Sequence, residues 1–233
     1  MPALVEILDE LTAPGELFQT LEEPGALRCT ACAHRCLLRP GKRGICQVRF
    51  NRGGELRVPW GYVAAAHADP IEKKPFAHFL PGSIAFTFGM LGCDFHCAFC
   101  QNWLSSQALR DPLADKGIGT IQRVSPEQLV AYARRAGARV MASSYNEPLI
   151  TSEWAAAIFR PALQAGLRCV YVSNGHATPQ ALEYLRPYLT AYKIEHLSMR
   201  PQAYREMGGV LEHVLETIQL AHRLGLWVEV VTL

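Results

Sequence analysis

The stretch Cys93-Asp94-Phe95-His96-Cys97-Ala98-Phe99-Cys100 sets three thiols in a C-x3-C-x2-C pattern, directly after the apolar run Ile84–Met90. The run predicts a buried strand that delivers the cysteines to its carboxyl end, where α/β folds keep their functional sites. Three thiolates can take three corners of a cubane iron–sulfur cluster and leave the fourth iron without a protein ligand, an open position of the kind catalytic metals need. Three thiolates and a fourth ligand such as His96 could instead close around zinc. The surroundings favour the cluster: an aromatic residue, Phe99, stands just ahead of the last cysteine, and repeated strand–helix units follow.

Those units have clear punctuation. Ser125, Pro126 and Gln128 predict a capped helix entry with a capping box, and Gly137 its end. Arg139–Ser144 predicts the next strand, and Ser152–Ala165 a helix stopped by Gly166. Leu167–Ser173 predicts a third strand, Thr178-Pro179 another helix entry, and Ala191–Leu197 a weaker fourth strand. A helix over Val210–Leu224 ends at Gly225, and Leu226–Leu233 predicts a fifth strand. Strands separated by single helices predict an α/β fold with a parallel sheet, either open or curved into a barrel. The sequence stops at Leu233 inside an apolar strand pattern, so we expect a partial (β/α) barrel truncated after its fifth strand.

Upstream, a short amphipathic helix and connector run to Pro24-Gly25, followed by a second cysteine set, Cys29, Cys32, Cys36 and Cys46. Four thiolates suffice to close a tetrahedral zinc site or to hold an auxiliary iron–sulfur cluster. His34 is expected to be a surface loop residue rather than a ligand. Residues 28–57 carry eight Lys or Arg against one acid, Glu55, which we attribute to cations offsetting thiolate charge. Asn51-Arg52-Gly53-Gly54 predicts a hairpin turn. The expected division is residues 1–80, an N-terminal helix and Cys-rich metal-binding domain, and 81–233, the core.

Composition bounds the rest. The 233 residues are 49% apolar with a net charge of +2, enough for a sizeable core and too neutral to imply nucleic acid or an acidic membrane surface. The basic block lacks interleaved aromatics for base stacking, which argues against RNA. Glu6, Asp9 and Glu10 break any signal-peptide pattern, and no apolar run approaches a membrane span. Eight cysteines without an export signal, seven of them in two tight sets, point to reduced thiolates gripping metal in the cytoplasm. Cys169, alone in an apolar run, is expected to be a small core residue.

The cluster segment resembles the C-x3-C-x-aromatic-C signature of the radical S-adenosylmethionine (SAM) superfamily. Asp69-Pro70-Ile71-Glu72-Lys73-Lys74-Pro75, Phe79-Leu80-Pro81-Gly82-Ser83, Cys100-Gln101-Asn102-Trp103 and Tyr145-Asn146-Glu147-Pro148 resemble the AmmeMemoRadiSam system radical SAM enzymes, which are similar to pyruvate formate-lyase activating enzyme. The resemblance covers residues 28 to 233 and includes the N-terminal cysteine block. It implies a [4Fe–4S] cluster on Cys93, Cys97 and Cys100, SAM as cofactor, and a 5′-deoxyadenosyl radical that abstracts hydrogen from an unknown protein or small-molecule substrate. Activation of a glycyl-radical enzyme is the family analogy, and a reducing electron donor is the implied partner. Phe99 would stand beside the adenine. Asn146 and Glu147 take the place where relatives have Gly-Gly-Glu at the SAM amino group, and Ser173 and Asn174 the place of polar residues near its carboxylate and ribose. Glu195 stands where relatives show the Asp of Asp-Leu-Lys. Leu197 replaces that Lys, so Lys193 or His196 is expected to compensate. A non-catalytic iron–sulfur or zinc binding module is the alternative from another class.

Overall fold

The computed structural model describes residues 3–113 and 121–232. Its centre is a six-stranded sheet: β1 (Ala65–Pro70), β2 (Ile84–Gly89), β3 (Val140–Ser143), β4 (Arg168–Ser173), β5 (Ala191–His196) and β6 (Trp227–Thr232), adjacent in that order. β2 to β6 are parallel and β1 runs antiparallel to β2. The parallel strands are joined through α1 (Pro126–Arg135), α2 (Ser152–Gln164), α3 (Pro179–Leu185), α4 (Pro201–Met207) and α5 (Leu211–Arg223).

The local signals explain most of these elements. Ser125 Oγ accepts from Gln128 N at 3.2 Å while Gln128 Oε1 accepts from Ser125 N at 2.8 Å, which closes the expected capping box of α1. Thr178 Oγ1 accepts from Ala181 N at 3.1 Å and starts α3 in the same way. The short helix Trp103–Ser106 was not anticipated, nor was one of those before β6. The region before β6 holds two, α4 and α5, separated by Gly208-Gly209. Pro201 at the first position of α4 and the left-handed Gly208 (φ 85°) bound this extra helix. The expected last residue of β6, Leu233, lies outside the described residues.

The two faces of the sheet bury different partners. Phe86, Phe88, Met141, Tyr171, Tyr192 and Ile194 pack against the helices. On the opposite face Ala85, Val140, Ala142, Val170, Val172 and Ala191 pack with Ile71, Phe76 and Phe79. The segment that follows β1 therefore covers the amino-terminal half of that face. Glu229 of β6 fastens it by accepting from Ala77 N at 2.7 Å and Phe79 N at 2.8 Å.

The N-terminal region adds two small antiparallel sheets: Thr12–Pro14, Glu55–Pro59 and Phe50–Arg52 in one, Phe18–Thr20, Leu27–Cys29 and Leu37–Leu38 in the other. The expected hairpin turn forms between Phe50–Arg52 and Glu55–Pro59. Leu8, Leu17, Leu38, Leu56 and Val58 share one hydrophobic cluster with Leu129, Trp154 and Phe159. The central sheet also draws β1 from the amino-terminal side of residue 80. Cys169 is fully buried in the core, as its apolar surroundings imply.

Candidate active site

β2 ends at Gly89, and the chain then turns through Met90–Gly92 into the three cysteines. Gly89 has no room for a side chain: a Cβ there would lie 2.4 Å from Ser144 O and 2.9 Å from Tyr145 Cβ. This close approach brings the segment after β3 alongside the cysteine loop. Tyr145 itself adopts φ 71°, a left-handed conformation uncommon for a bulky residue. Its phenol oxygen accepts from Lys74 Nζ at 3.0 Å, so two of the quoted motifs meet. On the other side Phe95 and His96 pack against Gly208 and Gly209, with His96 N donating to Met207 O at 2.9 Å.

One cavity at the carboxyl ends of the strands is lined by Cys93, Cys97 and Cys100 together with Asn146, Glu147, Ser173, Asn174 and Glu195. Phe99, 58% exposed, faces an adjoining cavity shared with Cys97, Cys100, Glu195 and Leu197. The two adjoin and hold about 100 and 250 Å3. All eight cysteines carry free thiols. Burial first, then Asp94 and Glu147, pushes the Cys93 thiol well up, and burial with Cys100 pushes Cys97 to about 12. Such thiols ionise only when a cation takes the place of their protons, which is the donor chemistry of a metal centre.

The polar residues form a bonded network. Glu147 Oε1 accepts from Ser173 Oγ at 2.7 Å and Leu149 N at 3.0 Å, and Oε2 from Asn174 N at 2.9 Å. Burial, then Asp94, raises its carboxyl to about 8. Asn146 Oδ1 accepts from Met90 N at 2.9 Å. Glu147 thus ties the ends of β3 and β4 together as well as facing the cavity. Glu195 accepts from Lys193 Nζ at 2.9 Å. His196, by strand alternation, lies on the opposite face, its ring centroid 6.4 Å from that of Tyr204. Of the two residues expected to compensate for Leu197, only Lys193 is therefore on the cavity side.

Sequence reasoning missed Asp94 and His176. Asp94 is fully buried between Cys93 and Phe95, its carboxylate accepting from Asn174 Nδ2 at 2.8 Å and facing His176 Nδ1 at 3.3 Å. Burial opposes its ionisation, but His176, His34 and Asn174 outweigh it and hold its carboxyl below the ordinary value. Among the described residues, His34, Asp94 and His176 are the one trio of His, Cys, Asp or Glu whose ligand atoms lie within 4.8 Å of one another. Nothing in the spacing 34, 94, 176 signals this meeting. His34 is accordingly no plain surface residue: its Nε2 lies 3.2 Å from Asp94 O.

The basic block also needs correcting. Only Arg49 reaches a cysteine, donating from Nε to Cys29 Sγ at 3.3 Å. Arg39 pairs with Glu23, Arg43 with Asp9 and Arg57 with Glu55, so carboxylates, mostly from outside the block, absorb much of the charge assigned to thiolates. Arg49 also forms a buried ion pair with Glu153 of α2 at 2.6 Å.

The chain matches the Radical SAM superfamily model over residues 88–233, and it belongs to that superfamily. The family is one of enzymes that use an iron–sulfur cluster and SAM. Among similar proteins, the uncharacterized protein MJ0808 of Methanocaldococcus jannaschii is 32% identical over 219 residues, covering 93% of this chain. The chain spans 63% of the length of that curated relative. The crystal structure of QueE from Escherichia coli shares 14% identity with a TM-score of 0.39, over 74% of this chain and 94% of that one. Among the described residues, no helix is long and apolar enough to cross a membrane.

Proposed function

We propose that Cys93, Cys97 and Cys100 hold a [4Fe–4S] cluster whose open iron binds SAM in the cavity beside them. The bound pair supplies reductive cleavage of SAM and a 5′-deoxyadenosyl radical for hydrogen abstraction from a protein or small-molecule substrate. One observation carries this reading: the three thiols and the polar residues Asn146, Glu147, Ser173, Asn174 and Glu195 line a single cavity.

The chain's own residues then bind, orient and shield. Glu195, 45% exposed in its side chain and held by buried Lys193, offers a free oxygen to the SAM ammonium. Phe99 gives an apolar face for the adenine in the adjoining cavity. Glu147 fixes the strand ends through its three accepted hydrogen bonds and presents a carboxyl edge to the cavity. The four quoted motifs support membership of the AmmeMemoRadiSam group, and glycyl-radical activation is the reaction that group suggests by analogy. The N-terminal cysteines hold a second metal centre. A reducing cytoplasm suits all seven thiolates.

The test is anaerobic reconstitution with iron and sulfide, reduction, addition of SAM, and chromatography for 5′-deoxyadenosine. The protein should produce it, and a Cys93→Ala, Cys97→Ala, Cys100→Ala triple variant should not. Iron binding without product would move the assignment to a non-catalytic iron–sulfur module.

A further inference from the structure

Ser105 and Ser106 are neighbours in the short helix Trp103–Ser106, and their hydroxyls do different things. Ser105 Oγ donates to Asn102 O at 3.0 Å, with Tyr145 O also in reach at 3.3 Å. Such main-chain bonds are the usual occupation of a helical serine. Ser106 makes none among the described residues. It is 4% exposed and lines the cavity, and its Oγ lies 3.2 Å from Cys100 Sγ. A cysteine that ligates iron is a thiolate with no proton to give, so the hydroxyl is the donor of this pair.

The residues behind Ser106 aim that hydroxyl. Gln107 Nε2 donates to Ser106 Oγ at 3.3 Å, which occupies a lone pair and leaves the hydroxyl proton for the sulfur. The other Nε2 hydrogen goes to Phe95 O at 3.0 Å, in the middle of the cysteine loop. Gln107 Oε1 accepts from Arg110 Nη1 at 3.3 Å, and the same nitrogen donates to Phe95 O at 2.8 Å. Arg110 Nη2 donates to Ile45 O. A guanidinium cation thus stands at the far end of a chain, Arg110 to Gln107 to Ser106 to Cys100, with every bond donated toward the sulfur. Bonds aligned in this way polarise one another. Cys93 Sγ accepts only from main chain, Phe95 N at 3.4 Å, and among the described residues no side chain donates to Cys93 or Cys97.

We propose that Ser106 is a positioning residue for the group on Cys93, Cys97 and Cys100, its hydroxyl orienting Cys100 Sγ and raising the potential at which that group is reduced. The inference rests on the [4Fe–4S] reading. Reduction moves one electron from an external reductant to the cluster, the reductant being oxidised by one electron, with no bond made or broken. The added charge is shared by the sulfurs, so a hydrogen bond donated to sulfur stabilises the reduced state more than the oxidised one. Ser106 therefore widens the range of reductants able to charge the site.

The test is a redox titration of the anaerobically reconstituted protein with dithionite, followed by low-temperature electron paramagnetic resonance on the signal that SAM changes. Ser106→Ala should keep wild-type iron and sulfide while its midpoint falls by about 59 mV, a tenfold loss in the equilibrium constant for one-electron reduction. Ser105→Ala, which alters only main-chain bonding of the same helix, should keep the wild-type midpoint. Electron–nuclear double resonance in H2O against D2O should find one exchangeable proton fewer beside the cluster in Ser106→Ala, a signature that a merely structural role would not move. A Ser106→Ala midpoint at or above that of wild type overturns the proposal. So does an equal fall in Ser105→Ala, an unchanged proton count, or loss of iron and sulfide from Ser106→Ala. A SAM-responsive signal in wild type whose midpoint ignores Ser106 sinks this inference alone, whereas absence of that signal removes the proposed function with it.

Discussion

Arg49 shows how one side chain can serve two parts of the molecule. Its guanidinium is 1% exposed and donates to Cys29 Sγ, Ile150 O and both oxygens of Glu153. Replacing it with Met strands the Glu153 carboxylate in the core, which costs about 3–5 kcal/mol. Denaturant unfolding of Arg49→Met should show that loss, and adding Glu153→Gln should recover part of it. The pH dependence should also change sign. In wild type, burial opposes ionisation of Glu153, yet Arg49 outweighs it and holds the carboxyl below its ordinary 4.5. The pair's contribution is present above that value and is lost as pH falls through the lower folded one. In Arg49→Met burial is opposed only by main-chain donors, among them Glu16 N and Leu17 N, and raises the carboxyl. Stability should then fall as pH rises between about 5 and 8, read as the unfolding midpoint across that range. None of this was legible in the sequence, because Arg49 and Glu153 are 104 positions apart and neither belongs to a periodic pattern.

At the scale of elements, helix entries were the most legible features and close approaches the least. Ser125, Pro126 and Gln128 act through bonds within one turn, so their pattern predicts α1 without tertiary information. Ser125→Ala should cost about 1 kcal/mol in chemical denaturation while leaving 5′-deoxyadenosine formation unchanged. The cysteine loop depends instead on contact with a distant turn. A Cβ on Gly209 would meet the Phe95 ring at 2.2 Å, and Phe95 is itself buried. Gly209→Ala should displace the loop, destabilise by about 1–3 kcal/mol, and lower iron and sulfide retained after reconstitution. Wild-type cluster content in Gly209→Ala would show that the loop accommodates the methyl group. In sequence, Gly208-Gly209 gives no sign of this contact, because a glycine's tight neighbour is visible only once the chain is folded.

Across the whole molecule, one hydrophobic cluster joins the N-terminal leucines to the helices over the sheet, and the Arg49–Glu153 pair crosses the same boundary. We therefore expect the reduced protein to unfold in a single transition, with tryptophan fluorescence and far-ultraviolet circular dichroism superimposing along a urea series. Two separated transitions would mean that residues 1–80 fold independently. The sequence by itself determined the alternation of strand and helix, the caps, and the two cysteine sets, since each depends on residues close together in the chain. Only the folded structure decided that Asp94, His34 and His176 meet between those sets, that Glu195, held by Lys193, lines the cavity while His196 turns away, and that Arg39, Arg43 and Arg57 of the basic block pair with carboxylates. These are contacts across many tens of residues, fixed by strand order and loop geometry, and no local pattern encodes them.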